Sequence, residues 1–140
     1  MQSKQENNII LIRLFTGEEI HEKIIEACNK HKIKTAIILS GIGQLQSATI
    51  GYFKGKGNYF PETFNKNLEL LSLTGNICKG KNEYLLHLHT ILGEENKNTI
   101  GGHLIKGKIS VTGEIALIKT EINANRKNND ETGLKDLILE

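Results

Sequence analysis

The stretch EYLLHLHTILGEENKNTIGGHLIKGKISVTGEIALIKT, residues 83–120, decides the fold. Apolar and polar side chains alternate along it, and turn-forming residues recur at short intervals, first around Asn96 and then at Lys106-Gly107. A period of two belongs to strands with one buried face. The stretch therefore predicts strands over residues 83–92, 100–105 and 108–120, joined as antiparallel hairpins. With a fourth run at residues 68–78 before them, they make a meander.

Alternation also assigns faces. His87 and His89 point the same way, about 6.6 Å apart along the strand, while Leu86 and Leu88 point the other way. A turn centred on Asn96 pairs His89 with His103 and Ile91 with Gly101, and directly paired residues share a face. A two-residue hairpin at Lys106-Gly107 would pair His103 with Ser110, which adds Ser110, Thr112 and Glu114 to the histidine face. Leu86, Leu88, Leu104, Ile109, Val111 and Ile115 then form the opposite, apolar layer. A slip of one residue would scramble that segregation. Gly101 and Gly102 remove bulk beside His103 and suit a bulge or a close approach.

Three imidazoles converging from adjacent strands are the candidate metal ligands. Neutral imidazole is the commonest protein ligand for zinc, and three histidines leave a fourth coordination position for water or substrate. Glu114, Glu69 and Ser110 are the candidate catalytic residues, able to orient a ligand, hold a metal-bound water or move a proton. The competing reading is that these polar groups decorate a wet sheet face. His21 and His31 read as ordinary helix or helix-end residues.

Working outward, residues 8–15 predict a first strand, and Thr16-Gly17-Glu18-Glu19 a capping box that starts a helix. Ile20, Ile24, Ala27 and Cys28 recur on one face of that helix, which runs to about residue 32. Residues 35–39 predict a strand, Ser40-Gly41-Ile42-Gly43 a glycine turn, and residues 45–53 another strand. Residues 54–66, around the single proline Pro61, read as a projecting arm or loop. Residues 121–132 read as a polar loop, followed by an apolar tail of Leu134, Leu137, Ile138 and Leu139 that docks back.

Composition narrows the class. At 140 residues the chain predicts one domain, with a core at about residues 9–120. Its 24% charged and 38% hydrophobic content is that of a soluble globular protein, and its polar start lacks an export leader, so the cytoplasm is the expected location. Cys28 and Cys78 lack metal or redox spacing and read as small buried hydrophobes. A net charge of +2, with only Arg13 and Arg126 as arginines, gives nucleic-acid binding little support.

The chain resembles the PPC family, the "plants and prokaryotes conserved" domain, over nearly its full length. The resemblance is carried by RLFTGEEI at residues 13–20, SGIGQLQSATIGYF at 40–53, ELLSLTGNI at 69–77, HLHTILG at 87–93, GGHLIKGKISVTGEIAL at 101–117 and ETGLKDL at 131–137. It implies an α+β fold, mostly an antiparallel sheet with one long packed helix, assembled as a homotrimer. It also implies a zinc site at His87, His89 and His103. Plant relatives join this domain to AT-hooks, Arg-Gly-Arg-Pro segments that enter the minor groove of DNA; no such segment occurs in these residues. The architecture is also similar to that of α-acetolactate decarboxylase, a zinc enzyme with an H-x-H pair and a later histidine. From these readings follow three candidate functions: a ligand-binding or regulatory zinc homotrimer, a zinc-dependent lyase or hydrolase of a small metabolite, and a DNA-binding regulator.

Overall fold

Two long strands, β3 (Thr35–Gly55) and β7 (Thr99–Thr120), carry the architecture of the computed structural model, which describes residues 1–56 and 58–140. Around them lie β1 (Gln2–Glu6), β2 (Ile9–Phe15), the helix α1 (Ile20–Lys30), β4 (Asn58–Phe64), β5 (Leu68–Lys79) and β6 (Tyr84–Gly93). The sheet order is β1-β2-β7-β6-β5-β3-β4, and a further pairing of β7 with β3 closes β3, β5, β6 and β7 into a ring. Every described pairing is antiparallel. The expected class, mostly antiparallel β with one packed helix, is the observed one.

Alternation places the core. In β2, Ile10, Ile12 and Leu14 point inward and Ile9, Leu11 and Phe15 outward. In β6, Leu88, Thr90 and Leu92 are buried while His87, His89 and Ile91 are exposed. Ile20, Ile24, Ala27 and Cys28, the predicted face of α1, are all buried, and with Leu45, Leu73, Leu104 and Leu117 they belong to one apolar cluster. Neither cysteine is in a disulfide and both are buried, with burial pushing the Cys28 thiol up to about 12.

Several local expectations give way to tertiary pairing. Ser40-Gly43 is no turn: β3 runs through it, taking up the irregularity as bulges between Ile38 and Ser40 and between Gly43 and Leu45. Lys106-Gly107 is likewise no hairpin, because β7 continues straight on and Gly107 pairs with Ala48. An added Cβ at Gly107 would lie 3.0 Å from Ile20 Cδ1, so this glycine lets the helix start approach the strand. The helix is capped by Glu19, whose carboxylate accepts from the Glu22 N–H at 3.0 Å, while the Thr16 hydroxyl turns to the Val111 carbonyl instead.

The polar start forms the edge strand β1, held by pairing to β2. Most of the expected arm is strand too, since β4 pairs with the end of β3 from Ala48 to Gly55. The expected polar loop and docking tail become a hairpin of β8 (Ala124–Asn128) and β9 (Lys135–Leu139). Its apolar residues Leu134, Leu137, Ile138 and Leu139 stay exposed; Ala124 is the buried one.

Gly43 has φ +145, and a Cβ there would sit 2.1 Å from the Thr112 carbonyl oxygen. Gly43→Ala is expected to cost about 2–4 kcal/mol, combining backbone strain with overpacking. Urea unfolding followed by circular dichroism reads this as a lower midpoint; an unchanged midpoint contradicts the close approach of β3 and β7.

Candidate metal centre

His89 and His103 are cross-strand partners, as the turn around Asn96 predicts, and Ile91 pairs with Gly101. The rung at His89–His103 ends the pairing of β6 with β7; residues 84–88 of β6 pair only with β5, and β7 goes on beside β3. A cavity of about 900 Å³ opens at this fork, lined by the three histidines, by His21 and Ile25 of α1, and by Tyr59 of β4.

The imidazoles form a compact triangle. Ring centroids lie 5.0 Å apart for His87 and His89, 5.3 Å for His87 and His103, and 5.4 Å for His89 and His103. One ligand nitrogen from each ring falls within 4.8 Å of the other two. The Nε2 atoms of His87 and His89 are 3.1 Å apart. A tetrahedral ion with bonds of 2.0–2.1 Å needs ligand nitrogens about 3.3 Å apart. That pair is already at chelating distance, and His103 needs a side-chain adjustment of about an ångström to join it.

Two of the rings are held toward the neutral form that ligates a metal. Burial, followed by the charges of His87 and His89, pushes His103 down to about 4. Burial also lowers His87, with smaller contributions from Arg126 and His89. Among the described residues, no carboxylate hydrogen-bonds to any of the three. Tyr59 stands edge-on to His103 at 5.7 Å, crossing Gly51, where a Cβ would lie 2.0 Å from the tyrosine ring.

The three polar residues expected to assist lie elsewhere. Ser110 is seven residues beyond His103 on a continuous strand, about 20 Å away, and contacts Asn67. Glu114 faces Arg13 across β2, and Glu69 accepts from Gln44 at 2.7 Å. None of them lines the cavity. The physical reason is the missing hairpin: with β7 unbroken, its later residues move away from the histidines instead of folding back over them.

Sequence reasoning missed His21, Tyr59 and Arg126 as cavity residues. His21 contacts Glu19 at 3.2 Å, and its position in the first helical turn carried no signal that this turn meets the strand fork. Tyr59 and Arg126 fell in segments read as loops. Among the expected ligands all three are brought together.

Fold and site together define a small antiparallel β-protein with a surface three-histidine cluster. The chain matches the Plants and Prokaryotes Conserved (PCC) domain over residues 1–121 and belongs to that family. Its fold is similar to a plant- and prokaryote-conserved protein of Pyrococcus horikoshii, with 32% identity, a TM-score of 0.81 and 96% and 93% of the two chains covered. It is also similar to a protein of Archaeoglobus fulgidus described as metal-containing, at 28% identity and TM-score 0.84 over 99% of both chains. A candidate DNA-binding protein of Bacteroides thetaiotaomicron superposes at TM-score 0.92 with 26% identity, over 98% and 96% of the chains. Among curated proteins, the bifunctional protein GlmU of a Synechococcus strain is 28% identical over 131 residues; the match covers 92% of this chain and a fifth of that protein (20%).

The depressed His103 makes the metal-free protein sensitive to acid. Its folded value of about 4 lies below the ordinary 6.5, so between these values the unfolded chain binds more protons and stability falls as pH drops. Urea midpoints of metal-free protein should therefore decline from pH 7 to pH 4.5, and the slope should be shallower in His103→Ala. Equal slopes in the two proteins would contradict the burial of His103.

Proposed function

We propose that this protein is a metal-binding PPC-domain module in which His87, His89 and His103 hold one zinc ion. In this reading it works as a ligand-binding or regulatory homotrimer in the cytoplasm. The observation that carries the proposal is the 3.1 Å approach of two ligand nitrogens with a third within 4.8 Å, in a fork where burial favours a neutral His103. The metal-containing relative from Archaeoglobus fulgidus supports it. Zinc is favoured among divalent ions because three imidazoles suit it, and a bound ion would act as a Lewis acid toward a ligand at its open position.

The homotrimer is supported by the outer face of the sheet. Leu11, Ile37, Leu39, Ile42 and Val111 are all exposed there, Leu11 and Val111 to 63% and 66%. Apolar surface on this scale marks association sites, and further copies of the chain are the occupant the family resemblance implies. A zinc-dependent lyase or hydrolase is the second reading, favoured by the roomy cavity at the open side of the cluster. The cavity wall lacks an acidic side chain among the described residues, so proton handling would fall to another group. Among the described residues, no helix is long and apolar enough to cross a membrane.

Elemental analysis of protein purified without added chelator is expected to give about one zinc per chain, lost in His89→Ala and in His103→Ala with the fold retained by circular dichroism. Absence of metal from the unaltered protein, even after zinc is supplied and excess removed, overturns the reading. Light scattering should return three times the 15.6 kDa chain mass. In a shift assay at physiological salt, A·T-rich DNA should bind no better than a random duplex, as a charge of +2 and two arginines imply.

A further inference from the structure

Arg126 lies beyond residue 121, outside the segment that matches the family, yet its side chain forms part of the wall of the histidine cavity. The β8–β9 hairpin delivers it there. Nη2 donates to Asn76 Oδ1 at 2.5 Å and Nη1 to the Lys135 carbonyl at 3.0 Å, and the Cys78 thiol lies against the guanidinium. Asn76 is the direct cross-strand partner of His87. Residues so paired have Cβ atoms about 5 Å apart, so the guanidinium stands immediately beside the first histidine.

Its charge is unanswered. Arg126 forms no ion pair with any described acidic residue, and no acidic side chain lines the cavity, where Lys135 adds a second cation. A divalent ion on three neutral imidazoles would add two more positive charges. A partly buried arginine held by neutral acceptors, each terminal nitrogen spending one of its two N–H groups on them, beside an open metal position is an incomplete anion site. The rest of the wall is aromatic and aliphatic, with Phe53, Tyr59, Leu86 and Leu134.

We propose that Arg126 completes the histidine site as an anion-recognising residue, and that the cavity takes a small organic carboxylate carrying an apolar body. The carboxylate faces the histidines and the guanidinium together, and the body lies against the aromatic wall. This rests on the three-histidine metal reading. Arg126 is not a metal ligand, so the two ideas can be separated experimentally.

The test uses cobalt(II), whose visible absorption reports its coordination, loaded into the full chain and titrated with benzoate and, separately, with inorganic phosphate. Benzoate is expected to change the spectrum saturably. Arg126→Gln should bind cobalt as tightly as the unaltered protein but weaken benzoate at least about tenfold. Asn76→Asp guards against a merely structural role, because it gives Arg126 a carboxylate partner and holds the hairpin more firmly. A tether would be unharmed by it, whereas an anion site loses benzoate affinity.

Failure of cobalt to bind removes the metal reading and this inference with it. Cobalt binding with equal benzoate affinity in all three proteins overturns the inference alone. A response to phosphate with none to benzoate overturns the carboxylate assignment.

Discussion

The rung between His89 and His103 is the constraint on which the site depends. It is the last pairing of β6 with β7 before the strands part, so two imidazoles are held side by side by backbone hydrogen bonds at the point where the sheet opens. His87 adds itself through strand periodicity, two residues along on the same face. The cavity follows from the same divergence, because β7 turns toward β3 and leaves the edge of β6 to be flanked by α1. A ligand triangle and an open volume thus share one topological cause.

Closure of β3, β5, β6 and β7 into a ring pairs both long strands to neighbours on each side of the fork. Both long strands are bent by bulges, and glycine sits where the backbones come closest, as at Gly43 against Thr112. The same strand β7 carries His103 at its other end, and the apolar core and His87 and His89 lie on opposite faces of β6.

The match to the family model ends at residue 121, and the hairpin that follows brings Arg126 to the wall of the cavity. That hairpin buries little apart from Ala124 and keeps its leucines exposed. It is tied back by the hydrogen bond from Arg126 to Asn76, a polar contact at the rim of the cavity, and by that from Lys56 to the Asp130 carbonyl. An arginine fixed in that way changes the charge of the pocket more than it strengthens the fold.

How much of this was legible in the sequence depended on the range of the deciding interaction. Period-two alternation and the turn at Asn96 are local, and they sufficed for β5, β6 and the start of β7, the buried face of α1 and the pairing of His89 with His103. The glycines at 41, 43 and 107 are ambiguous locally, since a glycine serves a turn and a bulge equally well. Only the presence of a long partner strand decided for continuous strand, with a bulge beside Gly43, and that choice carried Ser110 and Glu114 away from the cluster. Arg126 and Tyr59 belong to polar or irregular segments whose positions are settled by what they pack against. The sequence by itself determined which residues of β2, β6 and α1 face the core and that His89 pairs with His103, because these are written in neighbouring residues; tertiary structure alone decided where the long strands continue and what surrounds the histidines, because those contacts arrive from distant parts of the chain.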